Sequence, residues 1–209
     1  MDIFYSAFMD VSLVAIAFLF YVLLWFIKKQ ELLKLTGVDA NVILKATRPI
    51  QRYFGVMERL MTVSIILIIA VHYLVPDDIF LTNRLFGAGI YINKIIGFVL
   101  SILGLAICRI AQVTIGKSWR VGIDEDAKPG LVTKGIYSVI RNPTYTGLFT
   151  LCTGVFIILP TVLISYWIMA FFIMMEFQVR GEEEYLEKQY GDVYIQYLKS
   201  TRRYIPYIY

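Results

Sequence analysis

Five apolar runs, separated by polar connections punctuated with glycine and proline, set the pattern of this chain. Val11 to Ile27, Leu60 to Val75 and Ile95 to Ile115 are long enough for spanning helices. Tyr145 to Leu159 is apolar, Pro160 interrupts it, and Thr161 to Met175 is apolar again. That pattern predicts two short helices in a tight hairpin, each near the lower length limit for crossing a bilayer. No small-residue cleavage pattern follows the first run, so it reads as an anchor. From Gln30 to Arg59 apolar positions alternate with basic ones, which predicts an interfacial amphipathic piece broken near Gly37 and again near Pro49. Phe80 to Lys94 reads as a loop or surface segment. His72, near the end of the second run, is expected to be wetted at the interface. Gly97 and Gly104 on the third run allow close helix contact, although their spacing is not GxxxG. From Arg180 onward, Leu186, Tyr190, Val193, Tyr194 and Tyr197 recur at helical spacing among charges, which predicts a separate amphipathic tail helix.

Gly130 to Gly147 is the polar stretch around which these runs are arranged. It ends in a helix start: Asn142 is a good N-cap and Pro143 suits the first helical position. The N-terminus of the helix that follows, with Arg141 beside it, is a site for an anionic group. Read alone, the stretch is equally an ordinary interfacial turn. Glu182 to Glu184 are expected at the opening of the tail helix, where the dipole favours carboxylates. Glu176 and Arg180 are spaced for an i,i+4 pair. Trp119 and Tyr137 fit interface anchoring.

Composition sharpens this picture. Of 209 residues 58% are hydrophobic and 17% charged, against roughly 45–50% apolar in soluble domains, so this is an integral membrane protein. Two cysteines within apolar runs and a single histidine make a disulfide framework, a His-ligated metal or a His-based triad improbable. Neither a metal nor a nucleic acid is expected as a partner. Lysine and arginine crowd the first and third connections and the tail, whereas only Arg84 and Lys94 fall in the second. With about five spans this places the C-terminus in the cytoplasm and the N-terminus outside.

The ordered set Leu131-Val-Thr-x-Gly135-Ile-Tyr137, Arg141-Asn-Pro-x-Tyr145-x-Gly147, a helical hairpin, Glu182-Glu183-x-x-Leu186, Tyr190-Gly-Asp-x-Tyr194-x-x-Tyr197 and Arg203-x-Ile-Pro206 resembles the isoprenylcysteine carboxyl methyltransferase and phospholipid methyltransferase superfamily. The resemblance covers the chain from about Gly116 onward, where Gly116 to Asp124 is similar to a bacterial-type branch. It implies S-adenosylmethionine held by Pro129, Gly130, Leu131, Val132, Gly135, Tyr137, Asn142, Pro143, Thr144, Tyr145 and Glu182. It also implies catalytic positions at Arg141, Gln178 and Glu183. Gln178 stands where the carboxyl methyltransferases carry an arginine for the substrate carboxylate. Glu183 is a candidate proton acceptor for an amine substrate, and Tyr137 or Tyr145 can face the sulfonium through a cation–π contact.

The expected fold is thus an all-α integral membrane protein of about five transmembrane helices with a C-terminal amphipathic cytoplasmic helix. Residues 1–209 are read as one membrane domain, with N-terminal helices in 1–115 and the cofactor-binding and catalytic half in 116–209. The expected activity is methyl transfer from S-adenosylmethionine to a lipid-borne or hydrophobic acceptor in the membrane, either a prenylated-cysteine-like carboxylate or a lipid amine. A bacterial or archaeal inner membrane is the expected setting. Two rivals stand beside it: an NADPH-dependent sterol-type reductase, disfavoured by Leu148 where an acidic residue is usual, and a non-catalytic transporter or assembly partner.

Overall fold

A computed structural model describes residues 2–37, 39–40, 42–43, 49–75, 80–85, 91–120, 122 and 130–208. Those residues form six α-helices: α1 (Asp2–Thr36), α2 (Pro49–Leu74), α3 (Tyr91–Ile115), α4 (Pro143–Ile158), α5 (Val162–Tyr190) and α6 (Asp192–Ser200). Short 3-10 turns at Gly116–Ser118 and Gly135–Ser138 lie between α3 and α4. Strand pairing among the described residues is confined to two isolated bridges, Arg84 with Thr161 and Ile140 with Arg202. The fold is all-α.

Among the described residues four helices are long and apolar enough to cross a membrane: Phe8–Thr36, Pro49–Leu74, Tyr91–Ser118 and Val162–Tyr190. The fifth, α4, has 16 residues, about 24 Å of axis, shorter than a hydrocarbon core of about 30 Å. The five apolar runs therefore all become helices, and the protein is integral to the membrane. Exposed Leu19, Phe20, Leu23, Val63, Ile66, Leu67, Val99 and Leu103 form the surface that lipid would cover.

Small residues make the tightest seam. A Cβ on Gly97 would lie 2.6 Å from the Gly154 carbonyl oxygen, and one on Gly147 would lie 2.6 Å from that of Gly104. The antiparallel α3 and α4 thus touch backbone to backbone. Without a hydrophobic drive between helices in lipid, close van der Waals packing is what holds them. Val14, Ile65, Ile68, Leu105, Leu151, Val155, Ile158 and Ile164 fill the space where α1, α2, α3, α4 and α5 converge.

The far end of the bundle is pinned by polar groups. Asp10, fully buried, lies 2.7 Å from Arg84 Nη1 and 2.7 Å from Lys94 Nζ. His72 is only 4% exposed; its Nδ1 meets the Ile68 carbonyl at 2.8 Å and its Nε2 meets Thr161 Oγ1 at 2.9 Å. It is not wetted at an interface, because α5 begins directly against it. The segment read as a loop ends earlier than expected, since Tyr91–Lys94 already belong to α3.

Two further expectations change. The break at Gly37 is present, with φ +70° there, and α2 starts at Pro49, but the helix of the first run continues through Lys28 and Lys29 to Thr36. The tail helix begins later than expected: α5 runs unbroken for 29 residues until Gly191 at φ +54°, so Leu186 and Tyr190 belong to α5, and only Val193, Tyr194 and Tyr197 lie on the separate α6. Glu182–Glu184 therefore sit in the middle of a helix, away from any helix N-terminus, so the dipole argument for them does not hold.

Candidate functional site

The site is built where α4 begins. Residues 139–142 are strapped by the C-terminal segment: the Arg141 N–H donates to the Arg202 carbonyl at 2.7 Å, Asn142 N–H to that of Arg203 at 3.2 Å, and Arg202 N–H to that of Val139 at 3.1 Å. Thr146 Oγ1 donates to the Tyr204 carbonyl at 2.9 Å, and the Tyr197 hydroxyl to the Tyr137 carbonyl at 2.7 Å. The start of α4 is thereby fixed against α6 and the segment that follows it.

Glu182 and Glu183 point in different directions, as neighbours about 100° apart on a helix must. Glu183, 8% exposed, accepts from Arg141 Nε at 3.0 Å, from Asn142 Nδ2 at 2.9 Å and from Arg203 Nη2 at 2.7 Å. Arg141 also donates Nη1 to the Thr201 carbonyl at 2.8 Å. Arg203 Nη1 reaches Glu176 Oε1 at 3.1 Å, and Glu176 also takes the Tyr204 hydroxyl at 2.6 Å and Arg180 Nε at 2.8 Å. The anion that Arg141 and the start of α4 were expected to attract is thus the protein's own Glu183. Asn142 makes no side-chain cap bond; its amide is committed to that carboxylate. Two bonded arginines occupy the Glu183 carboxylate and hold it away from open space, which is the arrangement of a structural anchor.

Glu182 faces the other way, into a cavity of about 290 Å³. Its Oε1 accepts the Tyr145 hydroxyl at 2.9 Å and Gln178 Nε2 at 3.1 Å. Arg141, Asn142, Pro143, Thr144, Tyr145, Tyr137, Gln178 and Glu182 all line this cavity. Gly130, Leu131, Val132 and Gly135 do not: the Gly130 carbonyl accepts from Ser118 Oγ at 3.4 Å, and Gly135, at φ +61°, packs on Thr114. Pro129 lies outside the described residues. Burial pushes the Tyr137 hydroxyl up to about 12, so it is a neutral donor near neutral pH. Trp119 is 6% exposed and forms cavity wall; it packs with Leu32 and Ala40 and is no interface anchor.

The N-terminal half supplies the rest of the wall: Phe18, Tyr21 and Trp25 from α1, Glu58, Met61 and Thr62 from α2, and Cys108, Gln112 and Ile115 from α3. Leu148, Leu151, Trp167, Phe171 and Met174 close the apolar end. Two residues stand out that the sequence did not single out. Gln112, 3% exposed, has an Oε1 with no hydrogen-bond donor among the described residues. Glu58 is a carboxylate on the α2 wall, beside Met61 and Thr62. Gln112 lies in a predicted span, where an isolated polar residue was the only signal available, and Glu58 lies two residues before one, in a segment read as interfacial. A second groove of about 310 Å³ between α2 and α5, lined by Phe54, Phe177, Gly181 and Tyr185, shares Gln178, Glu182 and Gly122 with the cavity.

Residues 92–193 match the family profile described as phospholipid methyltransferase. Protein-S-isoprenylcysteine O-methyltransferase of Schizosaccharomyces pombe is 33% identical over 135 residues, covering 62% of this chain and 54% of that protein. Protein-S-isoprenylcysteine O-methyltransferase B of Arabidopsis thaliana is 27% identical over 116 residues, 54% of this chain and 58% of that protein. The chain thus spans little more than half the length of these relatives. The solved structure of the eukaryotic intramembrane Ras methyltransferase ICMT (isoprenylcysteine carboxyl methyltransferase) superposes with a TM-score of 0.60 at 20% identity, covering 95% of this chain and 68% of that one, and so shares its fold. Its profile match, its relatives and the ordered motifs gathered at the start of α4 all make this chain similar to the isoprenylcysteine carboxyl methyltransferase and phospholipid methyltransferase superfamily.

Proposed function

We propose that the protein is an S-adenosylmethionine-dependent methyltransferase acting at the membrane on a lipid-borne or hydrophobic acceptor. The observation that carries the reading is one cavity with two characters. Its polar end brings together Tyr137, Asn142, Tyr145, Gln178 and Glu182, and its apolar end, between Phe18, Leu151, Trp167 and Phe171, lies among the membrane-crossing helices.

The residues present fit the cofactor. Gln112 offers a buried acceptor oxygen that lacks a donor, and the cofactor's amino groups are donors. Glu182, steadied by Tyr145 and Gln178, offers a carboxylate to a cation. Tyr137, Tyr145 and Trp119 supply aromatic faces of the kind that attract a sulfonium. When bound, S-adenosylmethionine supplies an electrophilic methyl group. The chain's own task is then alignment: Glu182 and Gln112 hold one end, the first turn of α4 backs it, and the apolar wall keeps water out. Positioning of this kind can lower a barrier by ~7–11 kcal/mol. Gly130, Leu131, Val132 and Gly135 shape the turn that precedes Tyr137 and would act through it.

The same reading puts the polar end in the cytoplasm with the N-terminus outside, in a bacterial or archaeal inner membrane. It treats 1–209 as a single membrane domain to whose cavity both halves contribute. Acceptors carried by a prenyl or acyl tail suit the apolar end, and the relatives are named for a prenylated substrate, protein-S-isoprenylcysteine. Calorimetric titration of the detergent-purified protein with S-adenosylhomocysteine, with NADPH in parallel, tests the proposal. Saturable binding of S-adenosylhomocysteine alone is the expected result. Binding of NADPH alone moves the cavity to reductase chemistry, and binding of neither removes the enzymatic reading.

A further inference from the structure

The charged groups of the cavity wall are unevenly provided for. Arg141 is neutralised by Glu183. Arg120 is held at the polar end by its own loop, donating Nη1 to the Lys117 and Trp119 carbonyls at 2.9 and 2.8 Å. Glu182 accepts from Tyr145 and Gln178. Glu58 differs from all three: its carboxylate has no hydrogen-bond donor and no ion pair among the described residues, and Arg59, the next residue, acts on it only through its charge, from an exposed side chain outside the cavity lining.

Its depth matters as much as its isolation. Glu58 lies nine residues into α2, about 13 Å along the axis. One turn earlier, Phe54 shares a groove with Gln178. Just beyond it, the Met61 carbonyl accepts from Trp167 Nε1 at 3.2 Å. Glu58 therefore sits between the polar mouth and the aromatic and methionine wall of α5, where Tyr21, Tyr145 and Glu182 all lie near enough to feel its charge. An ionisable side chain inside a membrane domain is expensive unless paired or facing a functional cavity. The unsatisfied oxygen of Gln112 adds a second group on this wall that accepts and does not donate.

We propose that Glu58 reads the head group of the methyl acceptor, and that this head group is a primary ammonium carried on an apolar tail. The inference rests on the reading of the cavity as a methyltransferase site. Glu58 is the counter-ion of the ammonium and takes one N–H proton from it, so that the carboxylate becomes a carboxylic acid and the nitrogen is left with a free lone pair for the methyl group. A carboxylate acceptor would instead meet two carboxylates, Glu58 and Glu182, with the neutral amide of Gln178 between mouth and groove.

The chain's three tryptophans, Trp25, Trp119 and Trp167, all line this cavity, so intrinsic fluorescence reads its occupancy directly. The detergent-purified full chain is titrated with dodecylamine, dodecanoic acid and dodecanol, and with S-adenosylhomocysteine in the same preparation. Dodecylamine is expected to bind at least about tenfold more tightly than the acid, as a charge-assisted contact requires. Glu58→Gln is expected to abolish that preference and leave dodecanol affinity unchanged. An acid that binds as tightly as the amine to the unsubstituted protein overturns the proposal without any variant, and so does a Glu58→Gln protein that keeps the preference. S-adenosylhomocysteine binding without an amine preference sinks the role of Glu58 alone, whereas failure of S-adenosylhomocysteine to bind sinks the reading beneath it. Displacement of dodecylamine by a lysophosphatidylethanolamine assigns the ammonium to a phospholipid, and no displacement assigns it to a simple amine; either carrier satisfies the proposal.

Discussion

The hydroxyl of Tyr145 donates to Oε1 of Glu182 at 2.9 Å, joining the first turn of α4 to the middle of α5 across the mouth of the cavity. The two residues are 37 positions apart in sequence. They belong to the two motifs that gave the first hint of a cofactor site. The bond aims the carboxylate, and with Gln178 on the same oxygen it leaves Oε2 for a ligand.

Removing either partner therefore weakens cofactor binding more than it weakens the fold. Tyr145→Phe keeps the ring and deletes the donor. Glu182→Gln keeps the shape and deletes the charge. Hydrogen bonds to charged groups contribute about 1.5–3 kcal/mol, so S-adenosylhomocysteine affinity is expected to fall about tenfold to a hundredfold in each variant. Calorimetric titration checks this. Unchanged affinity in both variants defeats the assignment of Glu182 to the cofactor.

Glu183 makes the opposite prediction. It is locked between Arg141 and Arg203, with side chains 11% and 16% exposed. Breaking a buried pair by removing one partner typically costs about 3–5 kcal/mol, because the other charge is left uncompensated. Arg141→Ala and Glu183→Gln should each lower the unfolding midpoint, and the double variant should cost less than the sum of the two. Thermal unfolding of the four proteins in one detergent gives the coupling. Additive losses would show that the pair does not act as a unit.

Much of this was legible in the sequence, for identifiable reasons. Apolar runs report spans because lipid leaves the backbone no other way to satisfy itself, so all five helices were placed. The contact made by Gly97 and Gly104 followed from the absence of side chains. What the sequence could not reveal was direction. Glu182 and Glu183 are indistinguishable as letters, and only the helix that carries them through the middle of α5 decides that one faces the cavity and the other the strap. His72 looked like a surface histidine because its partner, Thr161, is 89 positions away. Glu58 and Gln112 gave no motif, since their meaning comes from the walls opposite them.

Two glycines, Gly97 on the α3–α4 seam and Gly181 away from it, should respond to a methyl group with opposite signs. A methyl group on Gly97 would fall 2.6 Å from the Gly154 carbonyl oxygen and 3.1 Å from the Ile158 nitrogen. Neither is a flexible side-chain end that can move aside. Gly97→Ala is expected to destabilise by about 1–3 kcal/mol, the range for overpacking. Gly181, in α5, has nothing within 4 Å of an added methyl, and Gly181→Ala should stabilise by about 0.5–1 kcal/mol through helix propensity. Unfolding midpoints of the two variants, measured side by side, should move in opposite directions; a tolerated Gly97→Ala would mean that the two helices are not held at this distance.

Alkaline stability should carry the signature of Tyr137. Burial is the largest cause that pushes its hydroxyl up to about 12 in the folded chain, against about 10 for an unperturbed tyrosine. Below pH ~10 both folded and unfolded chains keep the proton, and Tyr137 gives no pH dependence. Above that value the unfolded chain releases it while the folded chain retains it, so the unfolded state binds fewer protons and stability falls as pH rises. The loss runs from about pH 10 to about 12, with a limiting slope near 1.4 kcal/mol per pH unit for one such group. Buried Tyr194 and Tyr197 are shifted upward by the same cause and steepen the fall. Tyr137→Phe removes one of these groups and keeps the ring in the cavity wall. Unfolding midpoints followed from pH 9 upward should therefore decline less steeply in that variant, and an unchanged slope would place the Tyr137 hydroxyl in water.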